Sequence, residues 1–343
     1  MYVLDYINLT KKYLNCFIVF FFILSMGETY VILANPLGRS WDFAKRVYDG
    51  LISRNNGKYE FGEIRIKEFA DGEFKPQIGA SVRGKKVFYI HDSSLHPTRW
   101  FTELSFVCEA LKKSSCAESV VVMPYFRFSR QDRKDEPRTS ISAAVIAGII
   151  DKYTDGVLTV DIHNPAIDGF FNTRFDNLQS FNSVVTYLKE NHPEIISDNL
   201  VVMSPDAGGT ARAAAFARRI GVGRLVIGYK SRKEAGKVDE LKLVGDVKDC
   251  DVFLVDDIID SGGTLSKAAA VAREQGARKI YGFCTHGLFT KGFAVLDNFD
   301  KFFVGDTMHH NETEKLKIVP LAPLFSEAIY RMSHGDSLSA LFD

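Results

Sequence analysis

The residues best suited to chemistry are two adjacent acids that follow a short apolar run. Asp256 and Asp257 come directly after Val252–Val255, and a turn rich in hydroxyl groups and glycine follows at 260–264. Such an apolar run predicts a buried parallel strand, and ligands of open α/β sheets bind where these strands end. The alanine-rich segment 265–275 predicts a helix whose first N–H groups can face a phosphate. The pattern therefore predicts an anion site beside two carboxylates, which suit ribose hydroxyls or a metal ion.

A simpler interpretation is a strand end that caps the helix through Asp260 or Ser261. A cap requires one acid, whereas this stretch contains three, at 256, 257 and 260. We therefore favour the sugar-phosphate site.

Three further segments carry polar groups at positions where strands are expected to end. Asp206–Gly209 opens an alanine-rich helix and suits a metal-bridged diphosphate, although a capping Asp with permissive glycines is the alternative. His163 follows a predicted strand at 156–161, where a lone histidine is more often structural. Arg130–Asp135 forms a polar loop whose arginine forks match phosphate geometry, unless the loop is merely solvated.

Together these segments resemble the ribose-phosphate diphosphokinase (PRPP synthetase) family. The stretch Asp256-Asp257-x-x-Asp260-Ser261-Gly262-Gly263-Thr264 is similar to the phosphoribosyl-diphosphate loop that this family shares with phosphoribosyltransferases. Segments 122–135, 161–171 and 204–209 also resemble the diphosphokinases, and simple phosphoribosyltransferases lack them. The similarity extends from about Tyr30 to the end of the chain. Its four motifs occur in the family's order.

The resemblance implies a role for each matching position. The expected catalytic residues are Lys230, Arg232 and His163. ATP binding is expected at Phe69, Asp71, Glu73, Arg130, Gln131 and Asp135, with the first three on a hairpin tip that acts across a subunit contact. Ribose 5-phosphate binding is expected at Asp256, Asp257, Asp260, Ser261, Gly262, Gly263 and Thr264. Mg²⁺ is the expected cofactor, held by His163 and Asp206 together with water and phosphate oxygens.

Two segments depart from the family pattern. His96–Leu104 replaces an Asn-Asp-Asn-Leu/Met-Glu-like helix start, and Thr290–Phe293 replaces Ser-Gly-Pro-Ala. Neither change touches the expected catalytic groups. They bear instead on subunit packing and on regulation by phosphate or nucleotide.

Composition limits the partners and the compartment. Lys plus Arg equals Asp plus Glu at 43 each, so no global charge attracts the chain to nucleic acid or to a membrane. The five cysteines are scattered and never spaced as C-x-x-C, which argues against a disulfide framework or structural zinc and favours the cytoplasm. The apolar run 16–24 is about half a membrane span. We expect residues 1–27 to be an extension outside the fold without stable membrane insertion, from a spurious start or a targeting segment.

Short apolar runs alternate with helical patterns along the rest of the chain. This alternation predicts an α/β protein with two tandem doubly wound parallel-sheet domains of phosphoribosyltransferase type, at 28–175 on the ATP side and 176–343 on the ribose 5-phosphate side. No internal repeat is obvious in the sequence. We expect a homo-oligomer with the ATP site near a subunit contact.

The resulting expectation is a Mg²⁺-dependent transfer of the diphosphoryl group of ATP to O1 of ribose 5-phosphate. Two alternatives stay open. A non-catalytic PRPP-synthetase-associated regulatory subunit would share the fold, but damage would be expected at residues such as His163, Asp206, Lys230 or Arg232. A phosphoribosyltransferase would use the same ribose site with a nucleobase and would not require the Arg130–Asp135 loop.

Overall fold

The structure is a computed structural model that describes residues 29–54, 58–231 and 240–341, without the side chains of 230, 231 and 240. Within these ranges the strands form two seven-stranded sheets, each parallel apart from one antiparallel edge strand. The two-sheet α/β prediction is therefore confirmed.

The first sheet has the spatial order β3-β2-β1-β4-β5-β6-β7. Its elements in chain order are β1 (Tyr30–Ala34), α1 (Trp41–Ile52), β2 (Tyr59–Glu68), β3 (Phe74–Ile78), β4 (Lys86–Ile90), α2 (Pro97–Lys113), β5 (Glu118–Val122), α3 (Ser142–Tyr153), β6 (Gly156–Val160) and β7 (Arg174–Leu178).

The second sheet has the spatial order β10-β9-β8-β11-β12-β13-β14. It is built from α4 (Phe181–Asn191), β8 (Leu200–Ser204), α5 (Thr210–Ile220), β9 (Leu225–Ser231), β10 (Glu240–Val244), β11 (Asp251–Ile259), α6 (Gly263–Glu274), β12 (Lys279–Gly287), β13 (Lys301–Gly305), β14 (Leu316–Val319) and α7 (Ala322–His334).

The central strands are apolar because helices cover both faces of each sheet. All five residues of β1 and all five of β8 are buried. The sequence pattern identified these strands. It implied β2 and β3 only through the hairpin tip at 69–73, and it missed β7, β10, β13, β14 and the helix α7. One predicted end was wrong: β11 does not stop at Val255 but continues through both acids to Ile259.

The two sheets have the same strand order, and their registers match residue by residue. Tyr30 pairs with Lys86 in the first sheet, and Leu200 pairs with Asp251 at the equivalent place in the second. When the strand pairing is followed across each sheet from these two pairs, Asp161 in the first half occupies the same position as Asp306 in the second. Both carboxylates accept a backbone N–H from the start of the following helix, at Ser180 and Leu321 respectively. The halves therefore form an internal structural repeat that the sequence conceals.

The two halves exchange their last helices. Helix α7 follows the second sheet but packs on α1 of the first half, where the rings of Phe43 and Phe325 lie 5.3 Å apart. In return, α4 follows the first sheet and packs on α5, with Phe181 and Phe216 5.4 Å apart. One buried core consequently runs through both halves. The boundary at 175/176 stays a prediction, and β7 spans it.

Some expectations concern residues that the structure does not describe. The predicted extension 1–27 lies outside the described residues. Among those that are described, no helix is both long and apolar enough to cross a bilayer. The described cysteines, at 108, 116, 250 and 284, are free thiols.

Candidate active site

A cleft of about 1360 Å³ lies between the two halves. One wall comes from the carboxyl ends of β8 and β11, and the other from segments that follow β5, β6 and β7. Of the residues expected from the sequence, this cleft brings together Arg130, Gln131, Asp135, His163, Asp206, Asp256 and Asp257. The predicted ATP loop therefore faces the predicted sugar site across one cavity.

Asp256 and Asp257, together called the double acid, line this cleft because β11 extends beyond the end of its neighbour β8. Pairing with β8 ends at Leu254, whereas pairing with β12 continues to Ile259. The acids thus lie on a stretch of strand with a partner on one side. The side chain of Asp256 is 20% exposed, and that of Asp257 is 3% exposed.

Asp257 joins side chains from both halves. Nδ1 of His163 lies 2.7 Å from one oxygen of Asp257, and Nη1 of Arg212 lies 3.0 Å from the other. The same Nη1 lies 3.1 Å from Asp256. Arg212 was not among the residues predicted from the sequence. The available signal was its position one turn after Gly209, which places it on the cleft side of α5.

The two acids have opposite electrostatic surroundings. Burial and the neighbouring charge of Asp257 raise the pKa of Asp256 to about 7. Burial alone would also raise the pKa of Asp257, but the hydrogen bond with His163 and the charge of Arg212 hold it well below its usual range. The hydrogen bond with Asp257 raises the pKa of His163 in turn, against the effect of burial.

The expected phosphate turn lies at the start of α6, beside the cleft rather than in its wall. Gly262 has a positive φ of 73°, and a Cβ there would collide with Val295, so only glycine fits. The preceding Asp260 accepts a hydrogen bond from Thr290 at 2.6 Å and pairs with Arg130 at 2.8 Å. These two contacts lower the pKa of Asp260. Asp260 thereby connects the phosphate turn to the predicted ATP loop.

The predicted hairpin tip is present but stands apart from the cleft. Strands β2 and β3 pair antiparallel, and the tip 69–73 joins them. Asp71 accepts the backbone N–H of Glu73 at 3.0 Å, and Phe69 is 43% exposed. The structure therefore does not bring Phe69, Asp71 and Glu73 to the other ATP residues of the same chain.

The proposed metal ligands both lie in the cleft wall. Nδ1 of His163 is taken by Asp257, which leaves Nε2 as its remaining donor, and one oxygen of Asp206 accepts the N–H of Gly209 at 3.1 Å. No group of three or more His, Cys, Asp or Glu side chains suited to a metal occurs among the described residues. This donor set fits a Mg²⁺ ion that keeps water and phosphate oxygens, with Asp206 the better ligand because Mg²⁺ prefers oxygen.

The two expected catalytic residues Lys230 and Arg232 lie largely outside the described part of the chain. The backbone of Lys230 pairs with Leu241 in the β9–β10 hairpin, but its side chain is not described, and neither is Arg232. Their assignment stays a prediction.

The fold and the cleft define a two-sheet α/β protein of phosphoribosyltransferase type. The "Phosphoribosyl transferase domain" profile matches residues 175–287. The profile "N-terminal domain of ribose phosphate pyrophosphokinase" matches 37–153, and "Phosphoribosyl synthetase-associated domain" matches 233–343.

Whole-chain relatives specify the family. The ribose-phosphate pyrophosphokinase of Porphyromonas gingivalis is 37% identical over 82% of this chain and 90% of its own length. That of Campylobacter jejuni is 38% identical over 85% of this chain and 95% of its own. The crystal structure of phosphoribosylpyrophosphate synthetase from Mycobacterium smegmatis aligns with a TM-score of 0.77 and 26% identity, covering 90% of this chain and 100% of that one. The chain belongs to the ribose-phosphate pyrophosphokinase family and is an enzyme of this type.

Proposed function

We propose that the enzyme transfers the diphosphoryl group of Mg²⁺-bound ATP to ribose 5-phosphate. The observation that carries the proposal is the shared cleft, in which the Arg130–Asp135 loop faces the double acid and the Asp206 turn. A phosphoribosyltransferase would have no use for the arginine-rich wall. A regulatory subunit would not need His163, Asp206 and the double acid together.

The reaction is an in-line displacement at phosphorus. O1 of the ribose forms a bond to the β-phosphorus of ATP, and the bond from that phosphorus to the α,β-bridging oxygen breaks. AMP leaves with the electron pair, and the hydroxyl proton passes to solvent. The product is 5-phosphoribosyl 1-diphosphate. Positioning and charge neutralisation supply most of the rate in such transfers.

Each wall of the cleft has a separate task. Asp256 and Asp257 accept hydrogen bonds from the ribose hydroxyls, and the turn 261–264 takes the 5-phosphate at the start of α6. Arg130, Gln131 and Asp135 hold ATP. His163 and Asp206 would hold Mg²⁺, which would supply charge neutralisation for the phosphates. Phe69, Asp71 and Glu73 complete the ATP site of a partner subunit, because they lie outside the cleft of their own chain.

The direct test uses ATP labelled with ³²P in the γ position, ribose 5-phosphate and Mg²⁺. The proposal requires AMP and a labelled phosphoribosyl diphosphate in equal amounts. ADP with a singly phosphorylated sugar would indicate transfer of one phosphoryl group instead. Absence of turnover with the full chain would contradict the proposal and favour the regulatory subunit.

A further inference from the structure

Two adjacent carboxylates, one buried and one partly exposed, share one cation in the cleft. Asp256 and Asp257 lie next to each other on β11, and the same nitrogen of Arg212 contacts both, at 3.1 and 3.0 Å. Like charges this close repel strongly where water is scarce. We infer that Arg212 is a positioning residue for ribose 5-phosphate. Arg212 holds both acids in one orientation and cancels part of their charge. This inference rests on the proposed sugar site.

The internal repeat supplies a comparison within the same molecule. By strand register, Asp92 in the first half is equivalent to Asp257 in the second. Asp92 is satisfied by its own loops: it accepts the N–H of Arg39 at 2.8 Å, the hydroxyl of Ser40 at 3.1 Å and the N–H of Ser94 at 2.9 Å. Such an acid is committed to holding loops together.

Asp257, in contrast to Asp92, is held by side chains from other elements. Its oxygens contact Arg212 from α5 and His163 from the first half, and both of these line the cleft. The helices that follow β1 and β8 have matching N-caps, Ser40 and Gly209, so the position equivalent to Arg212 in the first half is Phe43. Phe43 is buried and uncharged. The guanidinium is therefore particular to the half that carries the double acid, as a role in the sugar site requires.

The charge of Arg212 matters for an anionic substrate. Ribose 5-phosphate carries two negative charges near neutral pH and must approach two carboxylates. Without Arg212, His163 is the remaining side chain in hydrogen-bond contact with the pair among the described residues. Substrate approach would then meet uncompensated negative charge, and the acids would lose their common anchor.

The geometry also predicts which substitution is tolerated. A single nitrogen, Nη1, makes both contacts, so the bidentate fork of arginine is not required. An ammonium group on a chain of similar length can occupy the same place. We expect Arg212→Lys to retain much of the function, whereas Arg212→Met, of similar volume but uncharged, does not.

The experiment compares Arg212→Met, Arg212→Lys and the control Arg218→Met in the full-length chain. Arg218 is an exposed arginine on the same helix. We expect Arg212→Met to raise the KM for ribose 5-phosphate about ten- to a hundredfold, with a much smaller change in the KM for ATP, on the scale of a lost charged contact. Arg212→Lys should recover most of this loss, and Arg218→Met should match the wild type.

Binding and folding are measured separately from turnover. Calorimetry with ribose 5-phosphate alone should show the same loss of affinity in Arg212→Met, and millimolar guanidinium should restore part of it. Melting temperatures identify a folding defect; if Arg212→Met does not fold, Arg212→Gln takes its place.

A KM for ribose 5-phosphate within twofold of wild type in Arg212→Met overturns the inference. The inference is also overturned if Arg212→Lys is as defective as Arg212→Met and shows an equal fall in melting temperature, because the role of Arg212 is then structural. If the wild type binds ribose 5-phosphate but forms no AMP, the proposed reaction fails while the calorimetry still tests Arg212.

Discussion

At the residue scale, the two acids of β11 have separable roles because their partners differ. Asp256 is the more exposed and faces Arg212, whereas Asp257 is almost completely buried and also anchors His163. A histidine that ligates a metal depends on the group that holds its other ring nitrogen. We therefore expect Asp257 to act on both the proposed sugar site and the proposed metal site.

We expect Asp256→Asn to weaken ribose 5-phosphate binding and to leave the Mg²⁺ requirement unchanged. Asp257→Asn should weaken sugar binding about ten- to a hundredfold and also raise the Mg²⁺ requirement, since an amide cannot replace the charge beside His163. Titrating each variant with both ligands checks this. Equal effects of the two substitutions on Mg²⁺ would contradict the division of roles.

For His163 we expect a defect confined to the metal. His163→Ala should raise the Mg²⁺ concentration that gives half-maximal activity roughly tenfold or more, while saturating Mg²⁺ recovers much of kcat. His309→Ala provides the control, because His309 is exposed and lies outside this cleft. An unchanged Mg²⁺ dependence in His163→Ala would return His163 to a structural role.

At the element scale, the hairpin of β9 and β10 stands beside the Asp206 turn. Strand β9 pairs with β8, which leads directly into that turn, and the backbone of Lys230 lies near the end of β9. We therefore expect Lys230 and Arg232 to contact the diphosphate as charge shifts along it during transfer. In the first half the position equivalent to Lys230 is Ile66, which has no charge to offer.

We expect Lys230→Ala and Arg232→Ala each to lower kcat by about a hundredfold or more, with little change in either KM, as for other lost transition-state donors. Lys237→Ala, farther along the chain, serves as the control and should have a much smaller effect. Steady-state kinetics with both substrates varied decides the matter. Near-normal kcat in both variants would leave the segment without a catalytic role.

At the scale of the whole molecule, two halves with the same strand order form one cleft between them. The exchange of α4 and α7 fastens each half to the other, so the two walls of the cleft are held in a fixed relation. The hairpin tip 69–73 lies outside the residues that line this cleft, and we expect a second copy of the chain to bring it to an ATP site.

Mixing two inactive variants tests this subunit contact. Phe69→Ala damages the tip and Arg130→Ala damages the cleft, so each protein alone should lose ATP affinity. After dissociation and reassembly, random pairing leaves one intact site in each mixed dimer, and activity should recover to about a quarter of wild type. Mixing without dissociation is the control. No recovery, with mixed oligomers verified by mass, would place the tip at its own chain's site.

The sequence alone determined the family, the two-sheet architecture and seven of the residues that line the cleft. These features are local: an apolar run predicts a buried strand, and a glycine-rich turn after it predicts an anion site, because both depend on neighbours in the chain. The central strands β1, β4, β8 and β12 were found for this reason. The edge strands β10 and β14 were missed, since pairing rather than periodicity specifies them. Strand β13 was also missed, although it is apolar and buried.

Only the tertiary structure decided which distant groups meet. His163 and Asp257 belong to different halves, and no local pattern predicts their hydrogen bond. Arg212 is one of several arginines on an alanine-rich helix, and only the packing of that helix against β11 brings its guanidinium to both acids. The equivalence of Asp92 and Asp257 was likewise invisible, because hydrogen-bond register is a property of paired strands and leaves no signature in either strand alone.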